Sequence, residues 1–499
     1  MIDTGMNEQT FDVAIIGSGP GGCVASTFLA QKGYKVLVLE RETFPRFHVG
    51  ESLLPGTQPI WERMGIADEL QNSGHTFKAA GEFRIGRFPD REEIYSTIGY
   101  FHNVPRADMS PRPHAYQVER AVFDKQLQDC ARRHGVTVWE KTNVQEVLLE
   151  GNKAVGIRLR RNGQEQTIRP KFIIDASGRR CIMGRQLDCI EHDPIIKTSA
   201  AFGHFKGVQR DPGYRQGFFN GYFIPHGWVW FIPLAGDVMS VGTVQNQPAT
   251  DDWKDKNSEE ILLETINKYK FLQDRFKNAV QVGRVRGMKD LAYTTKTYYG
   301  DGWLSIGDAN FFVDPLYSSG VQIAHSTADV AVNCVDEFLK NGRDMRALEK
   351  YRDYIDDYRV RVFRPMRCFY RCMRHYKTIA GYVKSTGYWF GDFNNWFLRR
   401  ACCWGTGRFH RHNWTIQLMS LMGNLSAWGA PLIGLGGWDR YTKHAYTGAP
   451  LDIPKDPHGG HGSGHDFTPM TIRDDDPVEE TSEVLTSAGA MEMAATSAE

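Results

Sequence analysis

A lysine in the apolar stretch HTFKAAGEF, two tryptophans in GWVWFIP and the turn LYSSG are the places where this chain could do chemistry. Lys78 sits where an ammonium is costly unless it has a partner or a task. Burial favours the neutral amine, which can act as a nucleophile or as a hydrogen-bond donor to an oxidised species. A lysine that snorkels to the surface fits the same stretch. Trp228 and Trp230, two residues apart, share one face of a strand. They can form a wall that keeps water from what lies behind it, or simply fill a core. Pro233 ends that strand. Ser318, Ser319 and Gly320 offer a hydroxyl and exposed backbone N–H groups, a combination suited to an anion.

Groups of this kind need a scaffold, and the N-terminal stretch supplies one. FDVAIIGSGPGGCVASTFLAQKGYKVLVLERE reads as strand, glycine-rich turn, helix and strand, with Gly33 as the helix stop. Gly17, Gly19 and Gly22 form G-x-G-x-x-G, a weak signal alone. Here it follows a strand, opens a helix and is answered by Glu40, with Arg41 beside it, at the end of the second strand. Such glycines bring backbone up to a pyrophosphate at a helix N-terminus, and the glutamate accepts ribose hydroxyls. A dinucleotide is therefore expected, with Gly17, Gly19, Gly22, Glu40 and Arg41 as its contacts.

Alternating and aromatic residues at 75–105 and 198–245 suit antiparallel strands, whereas residues from 321 to about 440 look mainly helical. This gives an α/β (α+β) chain in which a Rossmann-like nucleotide domain, residues 8–75, 106–197 and 285–340, is interrupted by a β-sheet substrate domain at 76–105 and 198–284. A helical region at 341–450 and a disordered tail at 451–499 follow. The tail runs HGGHGSGH and then DDDPVEETSE, too poor in apolar residues to offset its ordering entropy. Its His458, His461 and His465 have glycine-rich spacing that fixes no metal geometry, so no metal is expected.

FIIDASGRR (172–180) and GDANFFVDPLYSSG (307–320) resemble the second and third flavin motifs of the p-hydroxybenzoate-hydroxylase-like FAD family. That likeness implies FAD, with Asp308 at the ribityl chain, Pro315 and Gly320 in the loop facing the isoalloxazine, and Arg120 of QVERAVFD near the cofactor. The chain is more specifically similar to flavin-dependent halogenases. It carries their W-x-W-x-I-P as Trp228, Trp230, Ile232 and Pro233, and their F-x-x-P-x-x-S-x-G as Phe312, Pro315, Ser318 and Gly320. FPRFHVGESLLP (44–55) resembles their loop after the second strand, and Lys78 matches their essential lysine. The resemblance spans roughly residues 10–340.

No second G-x-G-x-x-G is present, so the flavin must be reduced by transient pyridine nucleotide or by another protein, and the resemblance implies FADH2 supplied by a separate NAD(P)H-dependent flavin reductase. O2 is the co-substrate. In the family's sequence of events a flavin C4a-hydroperoxide is attacked by chloride or bromide held at Ser318, Ser319 and Gly320. Hypohalous acid then passes the tryptophans, and Lys78 directs it at an aromatic ring. One position departs from the tryptophan-type enzymes, where glutamate precedes Ser-x-Gly; here it is Tyr317. Tyrosine is not expected to be negatively charged near neutral pH. A ring that supplies its own activation, a phenol or a pyrrole, is therefore expected rather than free tryptophan.

Charge and cysteines narrow the partners. A net charge of +1 gives no global field toward nucleic acid or anionic lipid. The 9 cysteines are scattered, an odd number without CxxC pairs, which suits reduced thiols in the cytoplasm. The polar N-terminus carries no signal-peptide pattern. The uncharged stretch from Asn413 to Trp438 contains Pro431 and many glycines, so a buried or interfacial segment is expected there, not a membrane span.

Arg364, Arg367, Arg371 and Arg374 fall on one helical face beside the stripe Phe363, Met366, Tyr370 and Met373, with Pro365 expected to start or kink the helix. Arg399, Arg400, Arg408 and Arg411 form a second cluster. Such a surface suits an acidic acyl or peptidyl carrier protein delivering a tethered substrate, or arginines paired within the fold. An aromatic hydroxylase, an isoprenoid-lipid reductase of the same fold and a non-catalytic flavoprotein stand as the alternatives to a halogenase.

Overall fold

Val13–Ile16 (VAII) and Val36–Leu39 (VLVL) are fully buried runs of β-branched and leucine residues, and they form the centre of a parallel sheet. The computed structural model describes residues 10–86, 94–101, 112–246, 249–373, 451 and 453–455. Around the central pair, Phe172–Asp175 and Trp303–Ser305 add parallel strands on one side and Thr137–Trp139 on the other. Tyr299–Gly300 closes one edge antiparallel. The connecting helix, Pro20–Gln31, begins with proline in its first turn and has Gly19 as its cap. Helices Arg120–Arg133 and Gly320–Lys340 pack against it and cover one face of the sheet.

The second layer is a seven-stranded sheet in the order Val280–Met288, Thr198–Lys206, Val238–Asn246, Gly227–Pro233, Phe219–Ile224, Ala80–Gly86, Ile94–Tyr100. Every pairing is antiparallel except that of Phe219–Ile224 with Ala80–Gly86. Gly227–Pro233 lies within this sheet and is buried along its whole length, so each alternate side chain has a committed face. Trp230 sits opposite Gly242, where an added Cβ would come within 2.4 Å of the indole. That glycine makes room for the ring.

Three expected boundaries shift. Val280–Met288 is one unbroken strand, so the edge drawn at 284 cuts through it. Thr76–Lys78 pairs not with the large sheet but with Ala115–Gln117, which ties Lys78 to the nucleotide domain's side of the molecule. At the other end, Leu451 and Ile453 pack on the apolar cluster under the seven-stranded sheet, and Lys455 pairs with Glu259 at 2.7 Å. The stretch beginning at 451 is therefore anchored, and the expected tail does not start there.

The helix Met345–Met373 runs continuously through Pro365, which lies inside it and does not start it. Its length comes from a stripe of buried side chains, among them Tyr351, Ile355, Val362, Met366 and Tyr370, laid against the main core. Of the predicted basic face, Arg367 is paired with Asp193 at 2.7 Å; Arg364 and Arg371 are exposed, and Arg371 is not without a partner. Arg374, the arginines at 399–411, the stretch 413–438 and the tail histidines lie outside the described residues. No helix among the described residues is long and apolar enough to cross a membrane.

Candidate active site

One long cavity runs between the two sheets. Its first end is built from the turn after the first strand. Gly17, Gly19, Pro20 and Gly21 line it, and because Gly19 offers no side-chain cap, the first N–H groups of Pro20–Gln31 face the cavity without a protein acceptor. Glu40 lines it as well, its carboxylate accepting from Ser18 N at 2.8 Å and from Glu42 N at 2.9 Å. Arg41, Arg46, Arg120, Arg179 and Arg180 stand around the same space. A cradle of open N–H groups, a fixed carboxylate and several guanidinium groups fits a dinucleotide's pyrophosphate and ribose. Gly22 is the exception among the predicted contacts. It does not line the cavity, and a Cβ there would lie 2.0 Å from Gly17 O, so its part is close packing of helix on strand.

Arg120 opens its helix buried, bonded to Asp124 at 2.7 Å and to Val49 O at 2.6 Å, and so pins the loop 44–55 against the cavity. His48 of that loop also lines it. Burial, followed by the nearby Arg120 and Arg46, pushes the His48 imidazole down to about 3, which keeps it neutral. Asp308 lines the middle of the cavity and is pushed up to about 6 by burial, a rise that Arg179 and Arg120 oppose.

The far end is closed by Trp228 and Trp230, whose ring centroids are 5.7 Å apart, together with Phe219, Ile232 and Phe312. Pro315, Ser318 and Gly320 stand beside them, Ser318 in the left-handed region at φ 56°. Gly320 opens the 21-residue helix Gly320–Lys340, so free N–H groups and the positive end of a helix dipole face this part of the cavity. Ser319 is buried and caps that helix but does not line the cavity. Tyr317 is also off the cavity, its ring centroid 5.9 Å from that of Phe83.

Lys78 lies off the cavity. It is 2% exposed, and no carboxylate pairs with it among the described residues. Its Nζ donates to Ser52 Oγ at 2.7 Å and to Leu53 O at 2.8 Å, and stands 5.8 Å from the ring centroid of Phe219. Ser52 and Phe219 line the cavity, whereas Lys78 does not. One layer of side chains thus separates the amine from the cavity. Burial alone pulls the Lys78 amine down to about 7, so the neutral form is accessible near neutral pH.

The family described as "FAD binding domain" matches residues 10–357. A 1H-pyrrole-2-carbonyl-[peptidyl-carrier protein] chlorinase of Pseudomonas fluorescens is 31% identical over 354 residues, 67% of this chain and 78% of that protein. The chain is a flavin-dependent halogenase of this FAD-binding family. The corresponding brominase of Pseudoalteromonas luteoviolacea is 32% identical, over 69% of this chain and 82% of its own length. Among solved structures, the myxobacterial chondrochloren halogenase CndH superposes with a TM-score of 0.63 at 34% identity, covering 72% of this chain and 83% of its own. The halogenase binds FAD, and the cradle of glycines and arginines fits it.

Sequence reasoning missed several residues that shape the site. Ser52 lies in the FPRFHVGESLLP loop yet carries no signal of its contact with Lys78. Glu51, which lines the cavity, pairs with His204 of the seven-stranded sheet at 2.5 Å and fixes the same loop from the opposite side. Asp314 carried no signal of its own, and Tyr370 was legible only as one ring in an apolar stripe. Nothing in their spacing brings them together.

Proposed function

We propose that this halogenase installs chloride or bromide on an electron-rich aromatic ring, a phenol or a pyrrole, with Lys78 delivering the oxidised halogen. Lys78 itself carries the reading: among the described residues it is a buried amine without a carboxylate partner, separated from the cavity by Ser52 and Phe219. Reduced FAD, supplied by a separate NAD(P)H-dependent reductase, brings the oxidising power when it meets O2. The chain's own residues do the rest. The N–H groups at Gly320 and the Ser318 hydroxyl favour a halide at the end of the cavity. Trp228 and Trp230 exclude water and keep the aromatic substrate off the flavin. The Lys78 amine, about half of it neutral at pH 7, can take the halogen from hypohalous acid with release of water, or donate a hydrogen bond to it.

Tyr317 supports the substrate class, because no carboxylate stands at that position to stabilise a cationic indole intermediate. Two relatives are named for pyrrole rings on a peptidyl carrier protein. The exposed Arg364 and Arg371 on the long helix suit an acidic carrier of that kind, which favours a tethered substrate.

Purified enzyme with a flavin reductase, NADH, O2 and bromide or chloride is expected to halogenate members of a phenolic and pyrrolic panel. The panel is offered free and loaded on a carrier protein, with product mass as the readout. Hydroxylation independent of halide would favour the aromatic hydroxylase instead, and transfer only to free compounds would remove the carrier.

A further inference from the structure

The two indoles of the wall are held in different ways. Trp230 donates from Nε1 to Ser240 Oγ at 3.2 Å, a bond to the neighbouring strand of its own sheet. Trp228 donates out of the sheet, to the hydroxyl of Tyr370 at 3.2 Å, on the helix Met345–Met373. That hydroxyl in turn donates to Asp314 Oδ2 at 2.7 Å. Asp314 caps the short turn Pro315–Tyr317 by accepting Leu316 N at 2.9 Å, and this turn leads directly into Ser318 and Gly320 at the cavity. Trp228, Tyr370 and Asp314 are 1%, 1% and 3% exposed. A single hydroxyl therefore joins the indole wall, the turn at the end of the cavity and the long helix.

We infer that Tyr370 is a positioning residue: its hydroxyl, shared between Trp228 and Asp314, fixes the Trp228 indole relative to the Ser318–Gly320 turn and so, through Phe219, whose ring lies 6.4 Å from that of Trp228 and 5.8 Å from the Lys78 amine, sets the passage between the cavity and Lys78. Apolar packing alone would not require this bond. Tyr370 already fills its place with its ring, against Phe369 at 5.2 Å, and a phenylalanine would pack as well. What the hydroxyl adds is orientation of an indole that no bond of its own sheet holds. The Asp314 carboxyl supports the same role. It is buried with no cation bonded to it among the described residues, and burial pushes it up to about 7 against the bonds from Tyr370, Leu316 N and Thr198. A buried acid so poorly compensated in charge is costly unless the geometry it imposes is needed.

This inference rests on the proposed function for its consequence but not for its geometry, and the test separates the two. Protein labelled with 5-fluorotryptophan gives a 19F spectrum in which Trp228→Phe and Trp230→Phe assign two lines. Tyr370→Phe and Asp314→Asn are each expected to shift the Trp228 line by more than its width and to leave the Trp230 line in place, without flavin bound. The double variant is expected to shift it no further than either single one. In the reduced-flavin assay, Tyr370→Phe is expected to keep FAD affinity while the share of oxidised halogen caught by a small free scavenger rises several-fold over that on the aromatic substrate. A Trp228 line that stays put in Tyr370→Phe, or strictly additive shifts, overturns the shared-hydroxyl geometry. A moved line with an unchanged partition overturns its consequence for the passage. Should wild-type enzyme transfer no halogen to any acceptor, the proposed function fails, while the 19F result still decides the geometry.

Discussion

Replacing Lys78 by methionine is expected to abolish halogen transfer while leaving FAD bound. Methionine keeps an unbranched apolar stem beside Phe101 and Phe219, to which the lysine head now lies close, and removes only the amine. Because Lys78 does not line the cavity, FAD affinity should stay within experimental error of wild type. The loss of a group that takes or hands on the reacting atom is worth on the order of 10²–10⁴-fold in rate. Alanine at the same position should lose as much activity and more stability: both variants remove the donor that Ser52 Oγ and Leu53 O now share, but only alanine also leaves a void. Comparison of the two variants by product mass and by thermal melting separates chemistry from folding.

Two pH dependences follow from the same buried amine. Its folded pKa of about 7 lies below the unfolded value of 10.5, so between these limits the unfolded chain holds the extra proton. Wild-type stability should therefore rise as pH increases from about 7 toward 10.5, by a contribution on the order of 5 kcal/mol at most, and Lys78→Met should lack that rise. Activity gives the second dependence. If the neutral amine is the nucleophile, transfer climbs through pH 7 and levels off above it. An ammonium acting as donor gives the opposite slope. The dry setting, with no carboxylate paired to the amine among the described residues, favours the first, so a rising limb centred near pH 7, missing in Lys78→Met, is the expected profile.

How much of this was legible in the sequence depended on how local the cause was. The strand–turn–helix around GSGPGG is dictated by short-range periodicity and glycine placement, and it forms as read. The indole pair shares a face because strands alternate, which two residues of spacing suffice to establish. Lys78 was legible as an anomaly, a cation in an apolar run, but its partners were not. Ser52 is 26 positions away and meets it only because Thr76–Lys78 pairs with Ala115–Gln117 beside the loop. Tyr370 is the extreme case, 142 positions from Trp228, because its place depends on where a 29-residue helix comes to rest. Pro365 does not start its helix, as one reading of it expected, because tertiary packing of the buried stripe carries the helix through it.

Gly22→Ala and Gly19→Ala are both expected to cost FAD affinity, by opposite routes. At Gly22 the new methyl would stand 2.0 Å from Gly17 O, and Gly17 cannot yield, since it sits at φ 106° with room for no Cβ of its own beside Ala176 O. Backbone must move. The helix Pro20–Gln31 is then pushed off the first strand, its open N–H groups leave their places, and the fold itself loses about 1–3 kcal/mol through overpacking. Gly22→Ala should therefore melt at lower temperature even without FAD. At Gly19 the nearest atom to an added Cβ is Arg46 Nη2 at 3.9 Å, an ordinary contact, and the backbone is extended. Alanine there should leave the melting temperature of the flavin-free protein unchanged, yet its methyl enters the cavity where the pyrophosphate approaches the helix N-terminus. Flavin titration followed by fluorescence should show at least a hundredfold weaker binding in both variants, about 2.8 kcal/mol. Only Gly22→Ala should also show the loss in flavin-free melting. Unimpaired binding in Gly19→Ala would mean that the pyrophosphate does not pass over this turn.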